Sequence, residues 1–149
     1  MTAHERFMRL ALEEAKRAAG EGEAPVGAVI VRDGEVIAYG RNRRERGKSA
    51  LAHAECEAIG AACAALGGWR LEGTALYVTL EPCPMCMGAA INARIPEVVF
   101  GAADPKAGCC GSVCDLAALP FNHHPRVVGG ILEEDCARVL REFFGNLRK

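Results

Sequence analysis

The sequence predicts an α/β fold, with a central five-stranded mixed sheet covered by helices and one domain over residues 1–149. Three observations predict it. Segments of helical and strand-like periodicity follow one another as α-β-β-α-β-α-β-β-α. No internal repeat, low-complexity segment or linker interrupts that order. The 149 residues, half of them apolar, suffice for a real core.

The segment from His4 to Ala19 reads as an amphipathic helix, because Met8, Ala11, Leu12, Ala15 and Ala19 recur at helical spacing. "GEGEAP" breaks it. "VGAVIVRDGEVIAYG" reads as a hairpin, two apolar strand-like runs around Asp33-Gly34, a favoured two-residue turn. The basic stretch "RNRRERGK" follows as a loop. His53 to Leu66 reads as a second helix and "TALYVTL" as a buried strand. "PMCMGAAINA" is a short helix with a proline acceptable in its first turn. "EVVFGA" is a strand, "DPKAGCCGS" a loop, and "RVVGGI" a fifth strand whose direction the residues leave open. A last helix runs from about Leu132 to Leu147, with Leu132, Cys136, Val139, Leu140, Phe143 and Leu147 on one stripe.

Lysine and arginine number 18 against 19 acidic residues, a net charge of −1. That excludes a strongly basic nucleic-acid binder and confines any phosphate contact to a local patch. The first residues, "MTAHERFMRL", carry charges where a signal peptide needs an apolar core, and no apolar run approaches membrane-spanning length. A soluble, cytoplasmic protein is expected. Its eight cysteines are then expected as metal ligands or small buried side chains rather than disulfides.

The chemistry concentrates in two short stretches. Residues Leu80 to Met87 read "LEPCPMCM", and a lone C-x-x-C is ambiguous. Upstream, His53-Ala54-Glu55 opens a helix after a loop. His53, Cys83 and Cys86 together supply one imidazole and two thiolates, a mixture that suits tetrahedral zinc. Three protein ligands leave a corner for water, as catalytic rather than structural zinc sites do. Cys83 and Cys86 lie three apart near a helix N-terminus, on one face, where the helix dipole favours thiolate. Glu55, two positions from His53, is not aimed at the same ion by helical geometry. It is expected beside the water, as the group that takes its proton and delivers it to a ring nitrogen and then to a departing amine.

His53-x-Glu55 followed by Pro82-Cys83-x-x-Cys86 resembles the signature of the zinc-dependent nucleobase deaminase superfamily. The stretches "APVGAVIV", "NRRERGKSALAHAE", "ALYVTLEPCPMCMGAAINARI", "VVFGAADPKAGCCGS" and "ILEEDCARVLREFF" fall in the order they have in the tRNA-specific adenosine-34 deaminases. So do "ADPKAG", "FNHH" and the ending "REFFGNLRK". The resemblance implies a cytidine-deaminase-like fold of three layers, α/β/α, one zinc ion per subunit, and a homodimer. It also implies conversion of wobble adenosine to inosine in a tRNA anticodon stem-loop. By the same resemblance, Asn42 would bond the flipped nucleoside, with Ala54 beside it. Asp104, Lys106, Asn122 and His123 would line the groove for neighbouring nucleotides. Phe143 and Phe144 would border the RNA or the core. One departure from the family is "FNHHPRV", with a second histidine and a proline at variable positions.

Other readings compete. The scaffold also serves free-base deaminases, guanine foremost and cytosine after it. A non-catalytic zinc module that binds RNA would have no use for Glu55. A four-thiolate knuckle of Cys83, Cys86, Cys110 and Cys114 is allowed by spacing but leaves His53 and Glu55 idle. Cys56 and Cys63 share a helical stripe with Ile59 and Leu66 and are expected in the core, as is Cys136. Cys109, Cys110 and Cys114 are expected to serve as small side chains. Arg41, Arg43, Arg44, Arg46 and Lys48 form either a solvated loop or a phosphate-contacting rim next to Asn42. Phe143 is expected in the core.

Overall fold

The computed structural model describes residues 1–147. Helix α1 (Ala3–Gly20) starts at Thr2, whose hydroxyl accepts the Glu5 N–H while the Glu5 carboxylate accepts the Thr2 N–H. This reciprocal cap removes two of the unpaired donors at the helix start. The hairpin follows as β1 (Gly27–Arg32) and β2 (Glu35–Arg41). At its turn, Asp33 and Gly34 have φ of 52° and 77°, the left-handed pair that a two-residue turn of this hand needs. Helix α2 (Ala54–Leu66), strand β3 (Thr74–Leu80), helix α3 (Pro84–Asn92) and strand β4 (Glu97–Ala102) complete the centre. After a long crossing segment with one 3₁₀ turn at Leu116–Ala118 come β5 (Arg126–Val128) and α4 (Glu133–Leu147).

The sheet order is β2-β1-β3-β4-β5. β1 pairs antiparallel with both β2 and β3, whereas β3–β4 and β4–β5 are parallel. The sheet is therefore mixed. Alternate residues of each strand enter opposite cores, as the strand period of two requires. Ala28, Ile30, Leu76, Val78, Val98 and Phe100 pack with Ala58, Ile59, Met87, Ala90 and Ile91 of α2 and α3. Val29, Val31, Tyr77 and Val99 pack with Phe7, Met8, Ala11 and Leu12 of α1 and with Cys136 of α4. Helices thus cover both faces, giving three layers. Gly40 lets α2 lie close on β2: a side-chain carbon there would strike the Ala54 carbonyl and the Ala58 N–H.

Three expectations are corrected. The fifth strand stops at Val128, because Gly129 passes directly over the Phe100 ring and the chain then turns at Gly130, φ 83°. The α4 stripe is less buried than its periodicity suggests: Cys136 is its buried residue, Leu147 is exposed, and Phe143 joins neither buried cluster. Phe143 instead meets Phe144 edge-on, ring centroids 5.3 Å apart. Cys56 and Cys63 are only half-buried, since the α2 face that carries them turns partly away from the sheet. The last two residues of "REFFGNLRK", Arg148 and Lys149, lie outside the described residues. Among the described residues no helix is long and apolar enough to cross a membrane.

Candidate metal centre

His53 is the N-cap of α2 and Cys83 the N-cap of α3, with Pro84 opening the helix behind it. Both caps have extended backbone, φ −82° and −76°, and neither side chain caps its own helix. The two side chains are therefore free to turn toward each other. His53 Nδ1 lies 3.6 Å from Cys83 Sγ and 3.5 Å from Cys86 Sγ. All three ligand atoms fall within 4.8 Å of one another. One nitrogen and two sulfurs converging at this spacing fit a zinc ion, and they come from side chains that deprotonate to bind it.

The local electrostatics favour a cation. The Cys86 thiol and the His53 ring, both bonded to Cys83, outweigh its burial and pull its thiol down to about 4. Contact with the Cys56 and Cys83 sulfurs, together with burial, pushes the Cys86 thiol up. A dication among these sulfurs reverses that second push. The bond to Cys83 raises the His53 ring above the ordinary histidine value, against its burial. Glu55 is 4% exposed and stays outside the set of three converging ligands. Burial pushes its carboxyl up to about 7, where a group can both accept and release a proton near neutrality.

The centre opens into a cavity of about 610 Å³ lined by His53, Ala54, Glu55 and Cys83. Its walls come from the segments that follow β2, β3 and β4, and Leu140 and Phe144 of α4 close one side. Clefts at the carboxyl ends of parallel strands are common binding places in α/β sheets. Asn42, Asp104 and Lys106 line this cavity too. The Asn42 side chain already bonds backbone at both ends, donating to the Ala24 carbonyl and accepting the Arg44 N–H. Asp104 accepts the N–H groups of Lys106 and Ala107.

Asn122 and His123 do not line the cavity. His123 Nε2 donates to the Ile95 carbonyl at 2.7 Å, just before β4 and so at the opposite end of that strand. The four-thiolate knuckle does not assemble either: Cys110 Sγ meets Met87 Sδ, and Cys114 is exposed. Three of the five loop cations are neutralised at home. Arg41 and Arg46 pair with Glu21, and Arg43 with Glu57. Arg44 faces the cavity and has no ion pair among the described residues.

Sequence reasoning missed three features. Cys56 Sγ lies 3.7 Å from Cys86 Sγ, a contact hidden by its place on an apolar stripe. Leu140 reaches the cavity from a helical stripe read as apolar packing, beside Phe144, which the resemblance had put against the RNA or the core. Glu23 and Glu81 are buried carboxylates. The position of Glu81, a charge closing an apolar strand two residues before Cys83, was the one visible signal.

Comparison with known proteins places these features in context. The model of the cytidine and deoxycytidylate deaminase zinc-binding region matches residues 1–102. The tRNA-specific adenosine deaminase of Bacillus subtilis strain 168 is 53% identical over 150 residues, covering 100% of this chain and 93% of that protein. A solved structure from a study of A-to-I editing by tRNA:A34 deaminases at the wobble position is 47% identical with a TM-score of 0.87, over 91% of this chain and 99% of that one. A guanine deaminase of Bacillus subtilis is 42% identical with a TM-score of 0.66, over 69% of this chain and 66% of that one.

Proposed function

The chain belongs to the cytidine and deoxycytidylate deaminase family defined by that zinc-binding region, and we propose on this premise that it deaminates adenosine to inosine at the wobble position of a tRNA anticodon. The observation that carries the chemistry is the convergence of His53 Nδ1, Cys83 Sγ and Cys86 Sγ beside the buried Glu55 carboxyl on one cavity. The likeness to the tRNA enzyme, which spans the full chain, favours RNA over a free base. Arg44 and Lys106 on the cavity wall suit a polyanion for the same reason that phosphate contacts dominate nucleic-acid affinity.

The reaction is hydrolysis: adenosine and water give inosine and ammonia. A zinc ion held by His53, Cys83 and Cys86 supplies Lewis-acid activation of water near neutral pH. The remaining work falls to the chain. Glu55 takes a proton from the attacking water and gives it to N1 of the purine as the new C–O bond forms at C6. It then passes the second proton to the exocyclic nitrogen, and the C–N bond breaks to release ammonia. Asn42 and Ala54 flank the base, and Asp104 and Lys106 meet the neighbouring nucleotides. The base must leave its stack to enter, which an anticodon loop allows at small cost. A homodimer belongs to the same proposal and rests on family resemblance. It is checked by sedimentation of the purified protein.

The test is to incubate the zinc-loaded protein with an anticodon stem-loop carrying adenosine at the wobble position, and in parallel with guanine, cytosine and free adenosine. The expected result is a gain of about one mass unit in the RNA, from replacement of an amino group by oxygen. Rapid release of ammonia from guanine, with the RNA unchanged, would overturn the reading in favour of a free-base enzyme.

A further inference from the structure

Two carboxylates take no part in this chemistry, yet they are among the most deeply buried charges in the protein. Glu23 is 1% exposed and Glu81 is 2%. Neither forms an ion pair among the described residues. A buried carboxylate without a cation persists only if its lone pairs are filled by good donors. Here the donors come from two irregular segments. Glu23 accepts the Glu45 N–H at 3.0 Å with one oxygen and the Arg46 N–H at 2.7 Å with the other. Glu81 accepts the Asp104 N–H at 3.0 Å and the Ser112 hydroxyl with one oxygen. Its other oxygen accepts the N–H groups of Cys110 and Ser112, at 2.9 and 3.1 Å.

All four lone-pair positions of Glu81 are thereby occupied. It borders the cavity but has nothing left to offer a substrate. Gly108 closes over it so tightly that a side-chain carbon there would collide with the carboxylate. The gripped segments are the ones that present the proposed RNA contacts. The first carries Asn42 and Arg44, the second Asp104 and Lys106. Both lack strand or helix ladders of their own over these residues. Their anchors stand on firm ground, Glu23 just past the end of α1 and Glu81 at the end of β3.

We propose that Glu23 and Glu81 are positioning residues, each holding one wall of the substrate cavity so that its RNA-facing side chains are preset before binding. The proposal rests on the RNA reading of the cavity. Presetting a loop removes an ordering cost from association, so losing an anchor weakens capture more than chemistry.

The test uses the zinc-loaded protein with Glu23→Gln, Glu81→Gln and Gly108→Ala, the last of which displaces the carboxylate without removing its charge. Glutamine turns one acceptor into an N–H₂ facing other N–H groups. Zinc content, kcat and KM are measured on the anticodon stem-loop, with amide hydrogen exchange alongside. The expected result is one zinc per chain, kcat within about threefold, and KM raised about tenfold or more. Exchange should quicken at Asp104, Cys110 and Ser112 in Glu81→Gln, and at Glu45 and Arg46 in Glu23→Gln, with β3 and β4 unchanged. Glu81→Gln and Gly108→Ala should be non-additive when combined. An unaltered KM, or equal loss of zinc and kcat, would overturn the proposal. Should Glu81→Gln fail to fold, Ser112→Ala removes one donor with the charge intact and must still raise KM. If the unaltered protein leaves RNA untouched, the RNA reading fails instead, while the exchange data still decide whether the carboxylates hold the loops.

Discussion

His53 Nδ1 lies 3.5 Å from Cys86 Sγ although 33 positions separate them in the chain. The contact exists because α2 and α3 begin at the same end of the sheet, where α2 offers its N-cap and α3 a residue of its first turn.

Removing any one of the three converging side chains should empty the centre. His53→Ala or Cys83→Ala is expected to lower zinc from about one ion per chain to near zero by metal analysis, because two remaining ligands hold zinc poorly. Full occupancy after loss of His53 would refute the assigned ligand set.

Glu55→Ala should separate binding from chemistry. Zinc content is expected to stay near one per chain while turnover drops by about 10²-fold or more, the usual range for a lost general acid–base. Near wild-type deamination by this variant would remove Glu55 from the mechanism.

Cys56 offers a sharper check on the open corner. Its sulfur lies 3.7 Å from Cys86 Sγ but outside the group of converging ligands. Cys56→Ala is expected to keep zinc and to change kcat by no more than about threefold, since the thiol packs against a ligand rather than replacing the water. Zinc loss in Cys56→Ala would mean a closed tetrahedron of four side chains.

The raised Glu55 pKa carries a definite sign. Folding lifts this carboxyl from 4.5 to about 7 by burial, so the folded state holds the proton more tightly than the unfolded one. The contribution of Glu55 to stability then falls as pH rises from 4.5 to about 7 and levels off outside that window. Urea unfolding of metal-stripped protein should show wild type losing up to about 3 kcal/mol relative to Glu55→Gln across that range. A constant difference between the two would contradict the burial effect.

Among the loop cations, Arg44 should matter most for RNA. Arg44→Ala is expected to flatten the dependence of log K on log salt by about 0.7, the single-strand value for one phosphate contact. Arg43→Ala should change that slope little, because Arg43 is already paired with Glu57 at 3.4 Å.

Much of this was legible in the residues themselves. The short apolar runs "TALYVTL" and "EVVFGA" located β3 and β4, at Thr74–Leu80 and Glu97–Ala102, and Asp33-Gly34 located the hairpin turn. Ligand chemistry picked out His53, Cys83 and Cys86 because only a few side chains bind zinc and their spacing is local to two helix starts. These are short-range properties, set by backbone preference and donor type. Tertiary packing decided the rest. It ran β5 parallel to β4, carried His123 to the far end of that strand and left Asn122 outside the cavity. It also turned Cys56 toward Cys86 and paired three loop arginines with carboxylates of α1 and α2 or the turn between α1 and β1. Glu23 and Glu81 show the physical reason most plainly. A carboxylate can be buried only where donors from distant segments meet it, and no local pattern in a sequence says which segments will arrive.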